Sequence, residues 1–213
     1  MTVEVGNPRR ETSLQEISPD GRKLQELNQE MRFSFIFVCL FSLSAVTAVQ
    51  AETVTIKGTH LCCGGCRDGA EEALSDVDGV AEINCDLNTK VIAFEAASVK
   101  AAQAGIAALA KAGFYGQAAF GKQPLKFPAS GVKKSTKSNS FVLGGLHLCC
   151  KSCVTGSQKA LANVKGVSVI DIDRNEKTIK LTGDGIHVLE AIAALNKAGF
   201  ACQLPKSKRN GSQ

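Results

Sequence analysis

The chain carries nine cysteines against three histidines, and six of the cysteines fall in two short runs. The first run is His60-Leu-Cys-Cys-Gly-Gly-Cys66 and the second His147-Leu-Cys-Cys-Lys-Ser-Cys153. In each, two thiols separated by two residues, Cys63 with Cys66 and Cys150 with Cys153, can converge on one soft metal ion. If the last of them opens a helix, the helix N-terminus also favours its thiolate. Cys62 and Cys149 stand directly before these pairs, either as third thiolates or as small buried side chains. His60 and His147 offer imidazoles that suit copper and zinc, although hydrogen-bonding the loop is the commoner use of such a residue. A pair of this spacing also serves as a redox dithiol or a structural disulfide in oxidising surroundings. Cys85 and Cys202 have no counterpart in the other run and read as packing residues.

The elements that must position these thiols emerge from an internal repeat. With a shift of 87 residues, Val54–Phe94 lies on Phe141–Leu181 without a gap, and 17 of the 41 pairs are identical. The identities include Gly58/Gly145, His60/His147, all three cysteines, Gly79/Gly166, Asp86/Asp173 and Lys90/Lys177. After a one-residue deletion the match resumes with Lys111-Ala-Gly-Phe114 on Lys197-Ala-Gly-Phe200. Within each copy, alternation predicts a strand over Thr53–Lys57. Apolar spacing at Cys66, Ala70, Ala73, Leu74 and Val77 predicts a helix that Gly79 stops. Strands over Val80–Asp86 and Val91–Phe94 flank a turn. A helix over Val99–Ala112 ends at Gly113, and a short strand follows at Tyr115–Phe120. The second copy repeats the order from Phe141 to Leu204. Strand, helix, strand, strand, helix, strand is the split ferredoxin-like sandwich, so the fold class expected is α+β with two such domains in tandem. Gly69 and Gly156, inside the first helices, read as close helix-to-sheet packing.

Here the residues resemble the heavy-metal-associated domains of copper chaperones and of copper-exporting P-type ATPases. The secreted mercury-binding protein of bacterial mercury resistance is similar. The family signature, Gly-Met-x-Cys-x-x-Cys, maps onto Leu61-Cys62-Cys63-x-x-Cys66 and Leu148-Cys149-Cys150-x-x-Cys153. The resemblance implies metal thiolates at Cys63, Cys66, Cys150 and Cys153, buried residues at Leu61 and Leu148, and aromatics packed near the metal loops at Phe114 and Phe200. It covers nearly all of the chain beyond the leader. This sequence departs from the family in the cysteine before each motif. In the family two thiolates give a nearly linear Cu(I) complex, whereas a third from Cys62 or Cys149 would make a trigonal site for Cu(I), Hg(II) or Cd(II).

Around these copies, residues 1–30 are polar and without apolar period, consistent with a start at Met31. Residues 31–51 hold an apolar run with a small-residue pattern at Val49 and Ala51, a signal peptide cleaved after Ala51 or an uncleaved membrane anchor over 33–49. Cys39 lies in that run. The copies span 52–120 and 141–205. Between them, 121–140 has two prolines, four serines and five lysines and reads as a flexible basic tether, and 206–213 is a basic tail. Five basic against nine acidic residues make the first copy acidic, and seven against five make the second basic. Asp68, Glu71 and Glu72 would then face Lys151 and Lys159 if the copies dock.

Aromatics amount to 5% with no Trp and the net charge is only +5, which argues against a nucleic-acid surface. There is no G-x-S-x-G, P-loop or carboxylate pair to support an enzyme. The expectation is a non-enzymatic, exported carrier or scavenger of a soft metal, Cu(I) in the first place, with Hg(II), Cd(II) or Zn(II) as other cargoes. Its partners would be the metal ion and a metal-transfer protein, in a periplasmic or secreted setting. The alternative is an extracytoplasmic thiol–disulfide protein. Against it, the motif interiors Gly64-Gly65 and Lys151-Ser152 lack the aromatic or proline usual in redox pairs.

Overall fold

The computed structural model describes residues 51–205. Residues 1–50, with Cys39 and nearly all of the segment expected to be a signal peptide or membrane anchor, and the basic tail lie outside the described residues. Among the described residues no helix is long and apolar enough to cross a membrane.

The first copy begins with β1 (Glu52–Lys57), in which Val54 and Ile56 are fully buried and the residues between them are not. Helix α1 (Gly64–Ser75) buries Cys66, Ala70 and Leu74, one face at a spacing of four. Strands β2 (Val80–Asp86) and β3 (Val91–Ala96) follow, then helix α2 (Val99–Lys111) and β4 (Gln117–Phe120). The Ser98 hydroxyl caps α2 by accepting from the Ala101 N–H at 3.1 Å. Against α2, Phe94 lies so close that a Cβ on Gly105 would sit 2.7 Å from its ring. Burying Phe94, Ile56 or Leu74 in this way contributes about 1.5–3 kcal/mol each.

All ladders are antiparallel, and the strands lie in the order β2-β3-β1-β4, with both helices joining non-adjacent steps of the path. The second copy has β6 (Lys137–Leu143), α3 (Lys151–Leu161), β7 (Val167–Asp173), β8 (Thr178–His187) and α4 (Val188–Lys197), in sheet order β6-β8-β7.

Two expectations need correction. The segment 121–140 is not a bare tether. Its Gln123–Leu125 forms β5, which extends the first sheet beyond β4. Phe127 then packs on Tyr115 with ring centroids 4.7 Å apart, and the Gln103 side chain donates to the Lys126 carbonyl at 2.9 Å. Second, the closing strand of copy two shrinks to one bridge, Gly144 with Gln203. Pro205 has no N–H to continue that ladder, and Gly145 turns away with φ 75°. Both copies belong to one compact unit.

Candidate metal centre

Each cysteine loop leaves its first strand through a glycine of positive φ, Gly58 at 74° and Gly145 at 75°. The loop then enters a helix whose N-cap is itself a cysteine. Cys63 and Cys150 have extended backbone, and their carbonyls accept from the N–H groups of Cys66 and Cys153 at 3.0 and 3.1 Å. Their sulfurs do no capping. Cys66 and Cys153 stand in the first helical turn, fully buried. Leu61 and Leu148 are buried at 1% and 3% exposure and anchor the loops below.

The two loops meet. Backbone of copy two pairs with backbone of copy one through a bridge between Phe114 and Phe200. The Ala201 N–H donates to the Gly113 carbonyl at 3.0 Å, and Tyr115 and His60 donate to Gly199 at 3.0 and 3.3 Å. This approach needs glycine. A Cβ at Gly113 would lie 2.2 Å from the His147 nitrogen, and one at Gly199 2.3 Å from that of His60. Each imidazole then stacks on the other copy's aromatic, His60 on Phe200 at 4.0 Å and His147 on Phe114 at 4.5 Å. The rings also lie over the helix of the opposite copy. A Cβ on Gly69 would be 2.7 Å from His147, and one on Gly156 3.3 Å from His60. Those two glycines therefore make room for a histidine, rather than for helix-to-sheet packing. The histidines do not hydrogen-bond their loops through Nε2, since both Nε2 atoms are buried without a partner.

Six sulfurs collect at this junction. Across the copies, Cys62 lies 3.3 Å from Cys150 and 3.7 Å from Cys153. Cys149 lies 3.5 Å from Cys63 and 3.4 Å from Cys66, and Cys66 lies 3.8 Å from Cys153. Within the copies, Cys63–Cys66 is 3.8 Å, Cys150–Cys153 3.5 Å, Cys62–Cys66 3.6 Å and Cys149–Cys153 3.5 Å. All six are free thiols. A tetrahedral ion with sulfur ligands at about 2.3 Å places those sulfurs about 3.8 Å apart, so the spacing suits metal–thiolate coordination. His60 belongs to a four-member ligand set with Cys62, Cys66 and Cys153, whose donor atoms all lie within 4.8 Å of one another.

Charge on the sulfurs is unequal. Cys66 is drawn down to about 2, first by the thiol of Cys153 beside it, against burial, and then by His147. Cys153 is pushed up, first because its sulfur faces Cys66 and then by burial. Given the near symmetry of the loops, this describes two buried sulfurs holding one proton between them. Cys150 falls to about 6, since hydrogen bonds from Cys153 and Cys62 outweigh burial. Burial raises Cys62 and Cys149. Burial also lowers His60 and so keeps its imidazole neutral.

No protein-family model matches the chain, and no curated protein matches it. Among solved structures, the oxidised MerP of Ralstonia metallidurans CH34 aligns at 22% identity over 33% of this chain and 100% of its own, with a TM-score of 0.30. The N-terminal soluble domains of Bacillus subtilis CopA align at 17% identity over 76% of this chain and 97% of theirs, with a TM-score of 0.27. A second structure, of the water-soluble region of that P-type ATPase, aligns at 16% over 77% and 97%, with a TM-score of 0.28.

The six cysteines of the two motifs and His60 stand together at this centre, whereas His147 packs on Phe114 and over Gly69 and joins none of the ligand sets among the described residues. The opposing charges join none either. Asp68 and Glu71 pair with Arg67 on their own helix, at 3.1 and 3.9 Å, and the copies meet instead through sulfur, stacked rings and backbone. Nothing in the spacing of residues announces that Arg174 reaches the second cysteine loop. Its guanidinium donates to the Cys149 carbonyl at 2.8 Å.

Proposed function

We propose that this protein is a non-enzymatic, exported carrier or scavenger of soft heavy-metal ions, built from two tandem ferredoxin-like sandwiches. The observation that carries the reading is the set of six free thiols, each 3.3–3.8 Å from at least two others, at a junction whose ligand sets among the described residues include no carboxylate. Thiolate ligands select soft ions, so Cu(I) is the favoured cargo, with Hg(II), Cd(II) and Zn(II) behind it. Cys63, Cys66, Cys150 and Cys153 are the principal ligands, with Cys62 and Cys149 as further thiolates and His60 and His147 in reserve. Binding releases thiol protons to water, and release of the cargo proceeds by exchange of thiolates with an acceptor protein. Cys62, exposed at the rim, is the natural point of entry. Helix N-termini offset part of the negative charge that the thiolates bring.

The test is native mass spectrometry of the full chain, reduced and free of oxygen, after loading with Cu(I) and separately with Zn(II). Two copper ions per chain are expected, lost in the Cys63→Ser/Cys150→Ser variant. A chain that retains no metal and re-forms two disulfides in air would overturn the reading in favour of a thiol–disulfide protein.

A further inference from the structure

The sulfur separations do not divide by copy. Within four ångströms the sulfurs form triangles, and the outermost two share no atom. One is Cys63, Cys66 and Cys149, with sides of 3.8, 3.5 and 3.4 Å. The other is Cys62, Cys150 and Cys153, with sides of 3.3, 3.7 and 3.5 Å. Together they use all six thiols once. The triangles between them, Cys66-Cys149-Cys153 and Cys62-Cys66-Cys153, share edges with these and with each other, so filling either uses up sulfurs of both outer ones.

We infer that the protein holds two trigonal three-thiolate sites, each made of one copy's Cys-x-x-Cys pair and the extra cysteine of the other copy. The inference rests on the reading of these loops as soft-metal ligands and adds to it which thiolates share an ion. Cys149 completes the site of Cys63 and Cys66, and Cys62 completes the site of Cys150 and Cys153. A point equidistant from the three sulfurs of either triangle lies about 2 Å from each, so a small outward shift of the sulfurs reaches an ordinary metal–thiolate bond of about 2.3 Å. The alternative, in which each loop supplies its own third thiolate, fits less well. In the first copy Cys62 stands nearer to Cys150, at 3.3 Å, than to Cys66, at 3.6 Å; in the second copy Cys149, Cys150 and Cys153 also lie within 4.8 Å of one another, so Cys62 and Cys149 compete there for one pair. The exchange follows from the backbone. Gly113 and Gly199 bring the loops face to face, and each helix N-cap cysteine then points at the residue that precedes the other's motif.

Each ion would thus join the two copies, and each copy's affinity would depend on a residue 83 to 91 positions away in sequence. Two variants of the full chain separate the possibilities, each missing three cysteines. Cys63→Ser/Cys66→Ser/Cys149→Ser keeps Cys62, Cys150 and Cys153 together. Cys62→Ser/Cys63→Ser/Cys66→Ser keeps the second loop whole, with Cys149, Cys150 and Cys153. Cu(I) affinity is read by competition with a coloured chelator, and the number of sulfurs per copper by X-ray absorption. The first variant is expected to hold one ion with three sulfurs at the affinity of the parent chain, and the second to hold one ion at least tenfold more weakly. Equal affinities, or the second variant binding tighter, would overturn the exchange while leaving the metal-binding reading intact. Failure of the parent chain itself to retain Cu(I) would overturn both. Circular dichroism of the two variants shows whether each is folded; should either be unfolded, the single variants Cys62→Ser and Cys149→Ser decide. Cys149→Ser is then expected to weaken one ion of two and to leave Cys150 and Cys153 with three sulfurs.

Discussion

Gly113 and Gly199 each combine a positive φ, 93° and 88°, with backbone of the opposite copy where a side chain would be. Alanine at either pays the left-handed penalty of roughly 1–2 kcal/mol and also pushes the copies apart. We expect Gly113→Ala and Gly199→Ala to lose more than about 2 kcal/mol, a fall of roughly 5 °C or more in Tm for a structured part of this size. Gly58→Ala is the control, since its φ is 74° but nothing lies within 4 Å of the added carbon, and it should lose only the backbone part. Thermal denaturation followed by circular dichroism measures all three, and equal losses at all three would refute the close approach. Two other cysteines make a contrast at the same scale. Burial pushes Cys85 up to about 11 and Cys202 up to about 12. Only the thiolate reacts, so at pH 8 both should resist iodoacetamide in the native chain while the rim thiol of Cys150, at about 6, reacts. For Cys85 the rate should rise about tenfold per pH unit until about pH 11 and then level. Mass-spectrometric mapping of the alkylated sites checks this, and early modification of Cys85 would show that its strand opens.

At the scale of elements, the turn between β2 and β3 is held by Asp86. Its carboxylate accepts from the Thr89 hydroxyl at 2.7 Å and from the N–H groups of Asn88 and Thr89 at 2.8 and 3.3 Å. The Thr89 hydroxyl first, and the backbone bonds after it, hold this carboxyl below its ordinary value of 3.8. A depressed carboxyl stabilises the fold above the pKa of the unfolded chain, and that contribution is lost as pH falls through the folded value. Asp86→Ala should therefore unfold at lower urea than the parent at pH 7, with the gap closing as the medium becomes more acid than the ordinary carboxyl range. A gap independent of pH would mean that the turn relies on shape alone. This turn was legible from the chain, because Asp86 and Asp173 recur in both copies before Lys90 and Lys177. So were β2 and the helices, whose apolar spacing records contacts within one copy. The partition of the sulfurs was not legible, because periodicity carries no information about which copy a side chain meets. Gly69 and Gly156 show the same limit. Their recurrence signals a close neighbour, but only the folded chain shows that the neighbour is a histidine of the other copy. Strand β5 was missed because Gln123-Pro-Leu is too short to show alternation.

For the whole molecule, an ion that ties the copies together must stabilise their docking by mass action. Free ion at a hundred times Kd adds about 2.7 kcal/mol per site. With both sites filled, Cu(I) loading should then raise Tm by roughly 10–20 °C, with a chelator reversing it, as scanning calorimetry would show. No shift on loading would place the metal away from the junction. The segment between the copies matters here in a way that its composition conceals. Because β5 and Phe127 fasten part of it to the first copy, the second copy is confined to a small volume around its counterpart. Confinement of this kind corresponds to an effective concentration on the order of millimolar, whatever the amount of protein present. The meeting of the loops is thereby removed from the law of dilution. Metal uptake per chain should stay constant from micromolar protein down to nanomolar, so that one molecule, alone in its compartment, is already a complete sink.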